Sequence, residues 1–173
     1  PYPQPALPDA EILFSPGCGS LDLQGWIDQG GGYLAGYYQY IAGKRLSAAE
    51  IIQLVAVENS INPRLLLALV EFRSGWLFGF PLDPEENQYP IGYHAPKVAG
   101  LFDELTVTAR VLGQGYYGWR QAKLDHLSFR DDSEAPLHPS LNAGSVGIQN
   151  LFAALYTPDF FYDALYGPQG FLA

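Results

Sequence analysis

Residues 62–76 read NPRLLLALVEFRSGW, and the fold turns on how this stretch is understood. Asn62 can cap a helix by accepting from a first-turn amide, and Pro63 at the first helical position loses nothing by lacking its own amide hydrogen. Gly75, just after Ser74, supplies the left-handed residue that ends the helix. Between these signals Leu65, Leu66, Leu67, Ala68, Leu69, Val70 and Phe72 leave no polar face, and such a helix belongs at the centre of a domain. Glu71 is the anomaly. Desolvation disfavours an ionised carboxylate, and a glutamic acid kept protonated in this way can donate to a glycosidic oxygen. An ion pair with Arg73 or Arg64 would have the opposite effect on its pKa. Residues 71 and 73 lie about 200° apart around a helix and do not face each other directly. Both roles for Glu71 stay open at this level.

Working outward, Ser47 and Glu50 form a capping box, and Ile51, Ile52, Val55 and Ala56 then give one apolar face. Upstream, LDLQGWIDQ and GYLAGYYQYIAG read as two short helical pieces around Gly30, Gly31 and Gly32, the second with Leu34, Tyr37, Tyr38 and Ile41 at helical spacing. Downstream, residues 78–98 carry four prolines and no period, the mark of a long irregular segment of the kind that usually has a role. AGLFDELTVTARVLG returns to helix, and QGYYGWRQAKL extends or restarts it. Asp131, Asp132 and Ser133 predict the turn of a small hairpin, NAGSVGIQNLFAALY a further helix, and Thr157 and Pro158 the cap of a last one. The expectation is a mainly α domain of six or seven helices with a small β-hairpin excursion.

Composition narrows the partners. Hydrophobic residues make up 48% of the 173 and charged ones 16%, ample for one compact core over residues 11–173. A net charge of -9, with nine Lys and Arg in total and no run longer than Lys44-Arg45, argues against nucleic acid and anionic lipid. No apolar stretch is long enough to span a bilayer, so no membrane insertion is expected. Cys18 is the one cysteine, which excludes an intrachain disulfide and a thiolate cage; it reads as a small residue in a Gly-rich turn. His94, His126 and His138 share no metal-ligand spacing, and GQGYYG lacks the Lys-Ser/Thr ending of a phosphate loop, so neither metal nor cofactor is expected. Residues 1–10, with four prolines in the first eight, read as an extended leader, and the absence of Met suggests a trimmed amino end. An extracellular or envelope-facing protein is the corresponding expectation.

The segment VAVENSINPRLLLALVEFRSGW, followed by GLFDELTVTARVLG and LNAGSVG, resembles the soluble lytic transglycosylase and goose-type lysozyme group, across roughly residues 47–150. That resemblance implies a lysozyme-like α fold and peptidoglycan as partner. In that group the catalytic Glu immediately precedes the Ser of the motif. Arg73 stands there in this chain, so strict carry-over assigns no catalytic acid. The chain is also similar to a group of secreted bacterial proteins with an NPRLLLALLEYQSGW-type motif, through Leu7 to Glu11, Asn62 to Trp76, Gly115 to Arg120 and Leu141 to Gly144; there the Glu-aromatic-polar-Ser-Gly-Trp order is the same.

Glu71 and Ser74 share a helix face, so a slightly rotated helix would present Glu71 to a cleft as the catalytic acid. A hydrolase generally wants a second carboxylate, for which Asp83, Glu85, Glu86, Asp103 and Glu104 are candidates. For substrate contact, Ser74, Asp103 and the rings of Trp76, Tyr89, Tyr93, Tyr116, Tyr117 and Trp119 are the candidates, since flat side chains give large contact area at small entropic cost. Two functional readings follow. One is a transglycosylase or muramidase acting on peptidoglycan or another glycan. The other is a non-catalytic glycan-binding or structural surface protein, with the Tyr-rich, sparsely charged surface available for self-association.

Overall fold

The computed structural model describes residues 5–173, the side chains of Pro84 and Glu86 excepted. In chain order the elements are α1 (Asp9–Ile12), a 3-10 turn (Pro16–Ser20), α2 (Leu23–Gly30), α3 (Tyr33–Gly36), β1 (Tyr38–Ile41), β2 (Lys44–Ser47), α4 (Ala48–Asn59) and α5 (Pro63–Ser74). A 3-10 turn (Pro84–Gln88), α6 (Leu101–Arg120), β3 (His126–Ser128), β4 (Glu134–Pro136), α7 (Ala143–Leu155) and α8 (Pro158–Tyr166) complete it. The protein is mainly α, with 54% helix and 10% strand. Among the described residues no helix is long and apolar enough to cross a membrane.

The backbone divides into two compact units, Phe14–Ala109 and the amino-terminal residues to Leu13 together with Arg110–Ala173. In the first, α4 packs on α5, α2 and β2, around Ile51, Ile52, Val55, Leu66, Leu69 and Val70, all at most 1% exposed. The capping box at Ser47 forms as its spacing requires: its hydroxyl accepts from the Glu50 amide, and the Glu50 carboxylate accepts from the Ser47 amide. Asn62 caps α5 by accepting from the Arg64 amide, and Gly75 ends it at φ +67°. Arg64 and Ala68 form a narrow exposed stripe, so α5 is buried on most sides but not all.

Two segments differ from the sequence reading. Residues 37–47 form a hairpin rather than a continuing helix, pairing Tyr38 with Ser47 and Tyr40 with Arg45. The connection is Ala42-Gly43, both at positive φ (+49° and +79°), the geometry a two-residue turn needs. Alanine is a poor signal for that geometry, which is why the Leu34, Tyr37, Tyr38 and Ile41 spacing looked helical. The second is the proposed leader. Residues 1–4 lie outside the described residues, but Ala6 donates to Ser145 Oγ (2.7 Å), and the Asp9 carboxylate accepts from the Gly144 amide and Asn142 Nδ2 (2.7 Å each). The chain from Ala6 onward is therefore docked on α7, with a Cβ built on Gly144 only 2.6 Å from the Leu7 carbonyl oxygen.

In this second unit α7 packs on α1, β3 and α8 and is the more completely buried helix, from Ala143 through Gln149 without interruption. Small residues make that possible: α6 and α7 approach so closely that a Cβ on Gly115 would lie 2.9 Å from the Gly147 Cα. The hairpin predicted around Asp131 to Ser133 is present as β3 and β4, with Asp132 at φ +64°. α6 is one continuous helix through the GQGYYG run.

Candidate functional site

The last turn of α5 delivers Glu71, Arg73 and Ser74 to a region built from the two segments that follow it. The first is residues 76–79. Its backbone pairs with the glycine-rich stretch before α3: the Gly32 amide donates to Leu77 O, Leu34 to Trp76 O and Tyr33 to Gly79 O. A Cβ on Gly30 or Gly32 would meet the Leu77 carbonyl oxygen at 2.5 and 2.6 Å, so these glycines make room for a backbone, a purpose the sequence did not announce. The Glu71 carboxylate closes the same turn by accepting from the Leu77 amide at 2.8 Å.

The second is residues 89–94, held from two directions. Arg73 Nε donates to Ile91 O at 2.7 Å. Glu104, fully buried on the first turn of α6, accepts from the amides of Ile91, Gly92 and Tyr93 (2.5, 3.0 and 2.9 Å). A buried carboxylate is tolerable only with such partners, and three amide donors satisfy most of its acceptor capacity. Gly92, at φ +92°, lets the chain turn between these anchors, with the Arg73 guanidinium 3.0 Å from where a Cβ would be. The Tyr93 hydroxyl hydrogen-bonds Thr108 Oγ1 at 3.1 Å, and burial pushes the phenol pKa well above its ordinary value.

Between the two segments opens a groove of about 540 Å³. Arg73, Ser74, Trp76, Phe80, Leu82, Tyr89 and His94 are among the residues that line it. The Tyr89 and His94 rings lie 4.3 Å apart, tilted at 35°. Ser74 already donates its hydroxyl to Val70 O at 2.8 Å and offers only its lone pairs. Trp76 is 1% exposed and packs against Tyr33 and Tyr37 at 4.7 and 5.7 Å, so its ring serves mainly as core.

Of the candidate contact residues, Ser74, Trp76 and Tyr89 come together in this groove, whereas Glu71, Tyr93 and Asp103 are absent from its lining. Tyr116, Tyr117 and Trp119 belong to the second unit. There Tyr116 is buried and accepts from Arg120 Nη1, Tyr117 is exposed, and the Trp119 indole donates to Leu141 O. Among the second-carboxylate candidates, Glu104 holds backbone, Asp83 accepts from the Glu85 amide, and the Glu86 side chain lies outside the described residues. The sequence reading did not assign Phe80, Leu82 or His94 to a site. Their only signal was membership of a long Pro-rich segment.

No described group of three or more His, Cys, Asp and Glu is arranged to hold a metal ion. Cys18 is buried, with its thiol toward Asn62 Oδ1 at 3.7 Å and Ser15 at 3.4 Å. The β1–β2 hairpin is placed by Gln39, whose Oε1 accepts from the Phe102 amide at the start of α6, beside Tyr37, whose hydroxyl accepts from Leu101.

Compared with known families, residues 5–167 match the model described as LasA, N-terminal domain. This chain belongs to that family. The match covers helices α1 to α8, and therefore all of the chain except its first four and last six residues. No curated protein and no solved structure matches it. Within this LasA amino-terminal-domain chain, the groove at the end of α5 brings the rings of Trp76, Phe80, Tyr89 and His94 together with Arg73 and Ser74.

Proposed function

We propose that this chain is a non-catalytic, envelope-facing domain that holds a cell-wall glycan segment in the groove at the end of α5, leaving bond cleavage to a separate domain. One observation carries the reading: among the described residues no Asp or Glu lines the groove, and Glu71 and Glu104, whose carboxylates hold the segments beside it, both accept from backbone amides. A glycosidic acid has to reach a leaving-group oxygen at hydrogen-bond distance. What the groove presents instead suits binding: Tyr89 and His94 offer ring faces to a sugar, and Ser74 and Arg73 offer polar contacts. The family description, an amino-terminal domain, favours a module that accompanies another domain. The lysozyme-like resemblance supplies the glycan as ligand class, and Arg73 at the motif's acid position agrees with binding without cleavage.

The test is sedimentation with insoluble peptidoglycan together with analysis of soluble products. Retention on the glycan without release of muropeptides is expected, and Tyr89→Ala should weaken retention by about tenfold, the equivalent of about 1.4 kcal/mol. Product release that disappears in Glu71→Gln, with the variant still folded, would establish the transglycosylase or muramidase reading instead.

A further inference from the structure

The β1–β2 hairpin presents a surface that the groove does not use. Strand alternation turns Tyr38 and Tyr40 to the same face, 50% and 67% exposed, while Gln39 and Ile41 point the other way. The two rings stand edge to face at 6.1 Å. Arg45, directly across from Tyr40, lays its guanidinium over the Tyr38 ring at 4.0 Å. Lys44, its neighbour in sequence, pairs with Ile41 and so belongs to the opposite face, and Arg45 has no ion-pair partner among the described residues. In a chain of net charge -9 this is the one place where two cations adjoin in sequence. Beside them lies a cleft of about 320 Å³, lined by Tyr38, Arg45, Ser47 and Glu50.

From this arrangement we infer that the hairpin is a second glycan contact, selective for sugars that carry a carboxylate. The inference rests on the glycan-binding reading above and deepens it. Each part has a chemical counterpart in such a ligand. The Tyr40 face stacks on the C–H face of a sugar ring, as aromatic side chains do on flat apolar surfaces, while Tyr38, edge to face with it, holds Arg45 in place. Arg45, pre-oriented by its stacking, donates two parallel N–H groups to a carboxylate. The Glu50 oxygens beyond the Ser47 amide they already accept remain open to sugar hydroxyls. A neutral glycan would use the Tyr40 ring alone. A polyanion without sugar rings would use Arg45 alone and meet the repulsion of the acidic remainder of the chain.

Calorimetric titration of the intact chain with tetragalacturonate, an acidic probe, and with cellotetraose, a neutral one, tests this, with ring-proton shifts recorded in parallel. The acidic sugar is expected to bind about tenfold more tightly, a difference of about 1.4 kcal/mol. Shifts should appear at Tyr38 and Tyr40, Arg45→Gln should remove the preference, and Tyr40→Ala should weaken both sugars. Each variant is checked for an unchanged melting temperature, expected for exposed positions. Equal affinity for the two probes, shifts confined to Tyr89 and His94, or no binding of either probe overturns the hairpin site. In each of those cases retention on insoluble peptidoglycan still judges the groove separately. Loss of that retention with tetragalacturonate binding intact would instead overturn the groove and keep the hairpin.

Discussion

Glu71 looked like a carboxylic acid in an oily wall, and its environment turns out to be a turn of backbone. Its partner is the amide of Leu77, six residues on, rather than Arg73 or Arg64, and no helix-based geometry could have named it. Glu104 makes the same point more strongly. On the helix wheel it is an ordinary first-turn acid, favourable near a helix amino terminus, yet it is fully buried and collects three amides from the segment 91–93. Removing one partner of a buried hydrogen-bonded set leaves the others desolvated and unsatisfied. Glu104→Ala is therefore expected to lower unfolding free energy by about 3 kcal/mol in urea titration, and to loosen the 89–94 side of the groove. A loss below about 1 kcal/mol would mean that water replaces the carboxylate and that the clamp is not rigid.

At the scale of elements, helices with two-ended signals came through intact. Asn62 with Pro63 and Gly75 bounded α5, and Ser47 with Glu50 started α4, because caps are local chemistry between residues three or four apart. The β1–β2 hairpin was missed for an equally local reason, since Ala42 occupies a left-handed position where Asn would be expected. Ala42→Asn should raise stability by about 0.5–1 kcal/mol, read as a shift in the urea midpoint at constant slope. No change would mean that the strand pairing dictates the turn regardless of its residues.

The β3–β4 hairpin has a pH response of its own. His126 Nδ1 lies 2.7 Å from the Asp125 carboxylate, and Nε2 lies 3.5 Å from Glu134. The Asp125 hydrogen bond, then the Glu134 charge, raise the His126 pKa above its ordinary 6.5, while His126 lowers that of Asp125 below 3.8. A raised histidine value stabilises the fold fully below the unfolded pKa and stops doing so as pH rises through the folded one. The depressed aspartate contributes above its unfolded pKa and is lost as pH falls through the folded value. Protection of the hairpin amides should therefore be greatest between the two ordinary values and decline above pH 6.5. In His126→Ala the decline above pH 6.5 should vanish. Both groups are solvent-exposed, so the effect is confined to the hairpin.

For the whole molecule, the tie between the chain's beginning and α7 links residues more than 130 positions apart. Gly144 permits it, since any Cβ there would strike the Leu7 and Pro8 backbone at 2.6–2.8 Å. Gly144→Ala should cost about 1–3 kcal/mol by overpacking, and hydrogen exchange should show the loss at the Ala6 and Glu11 amides first. Unchanged exchange at those amides would mean that residues 5–12 are held by something other than this close approach.

Taken alone, the amino-acid sequence determined what depends on near neighbours: the mainly α class, the caps of α4 and α5, the β3–β4 turn, and a charge balance that disfavours polyanions over most of the surface. It also placed Ser74, Trp76 and Tyr89 in a candidate site, because two of them adjoin the helix end that opens onto the groove. Tertiary structure alone decided which carboxylates were occupied and that Gly30 and Gly32 admit a neighbouring backbone. It also assigned Tyr116 and Trp119 to the unit that does not contain the groove, and docked the chain from Ala6 onward on α7. The reason is physical. Caps, turns and periodicity are written within a few residues, whereas the partner of a buried charge is whatever the packed chain brings within about 3 Å of it.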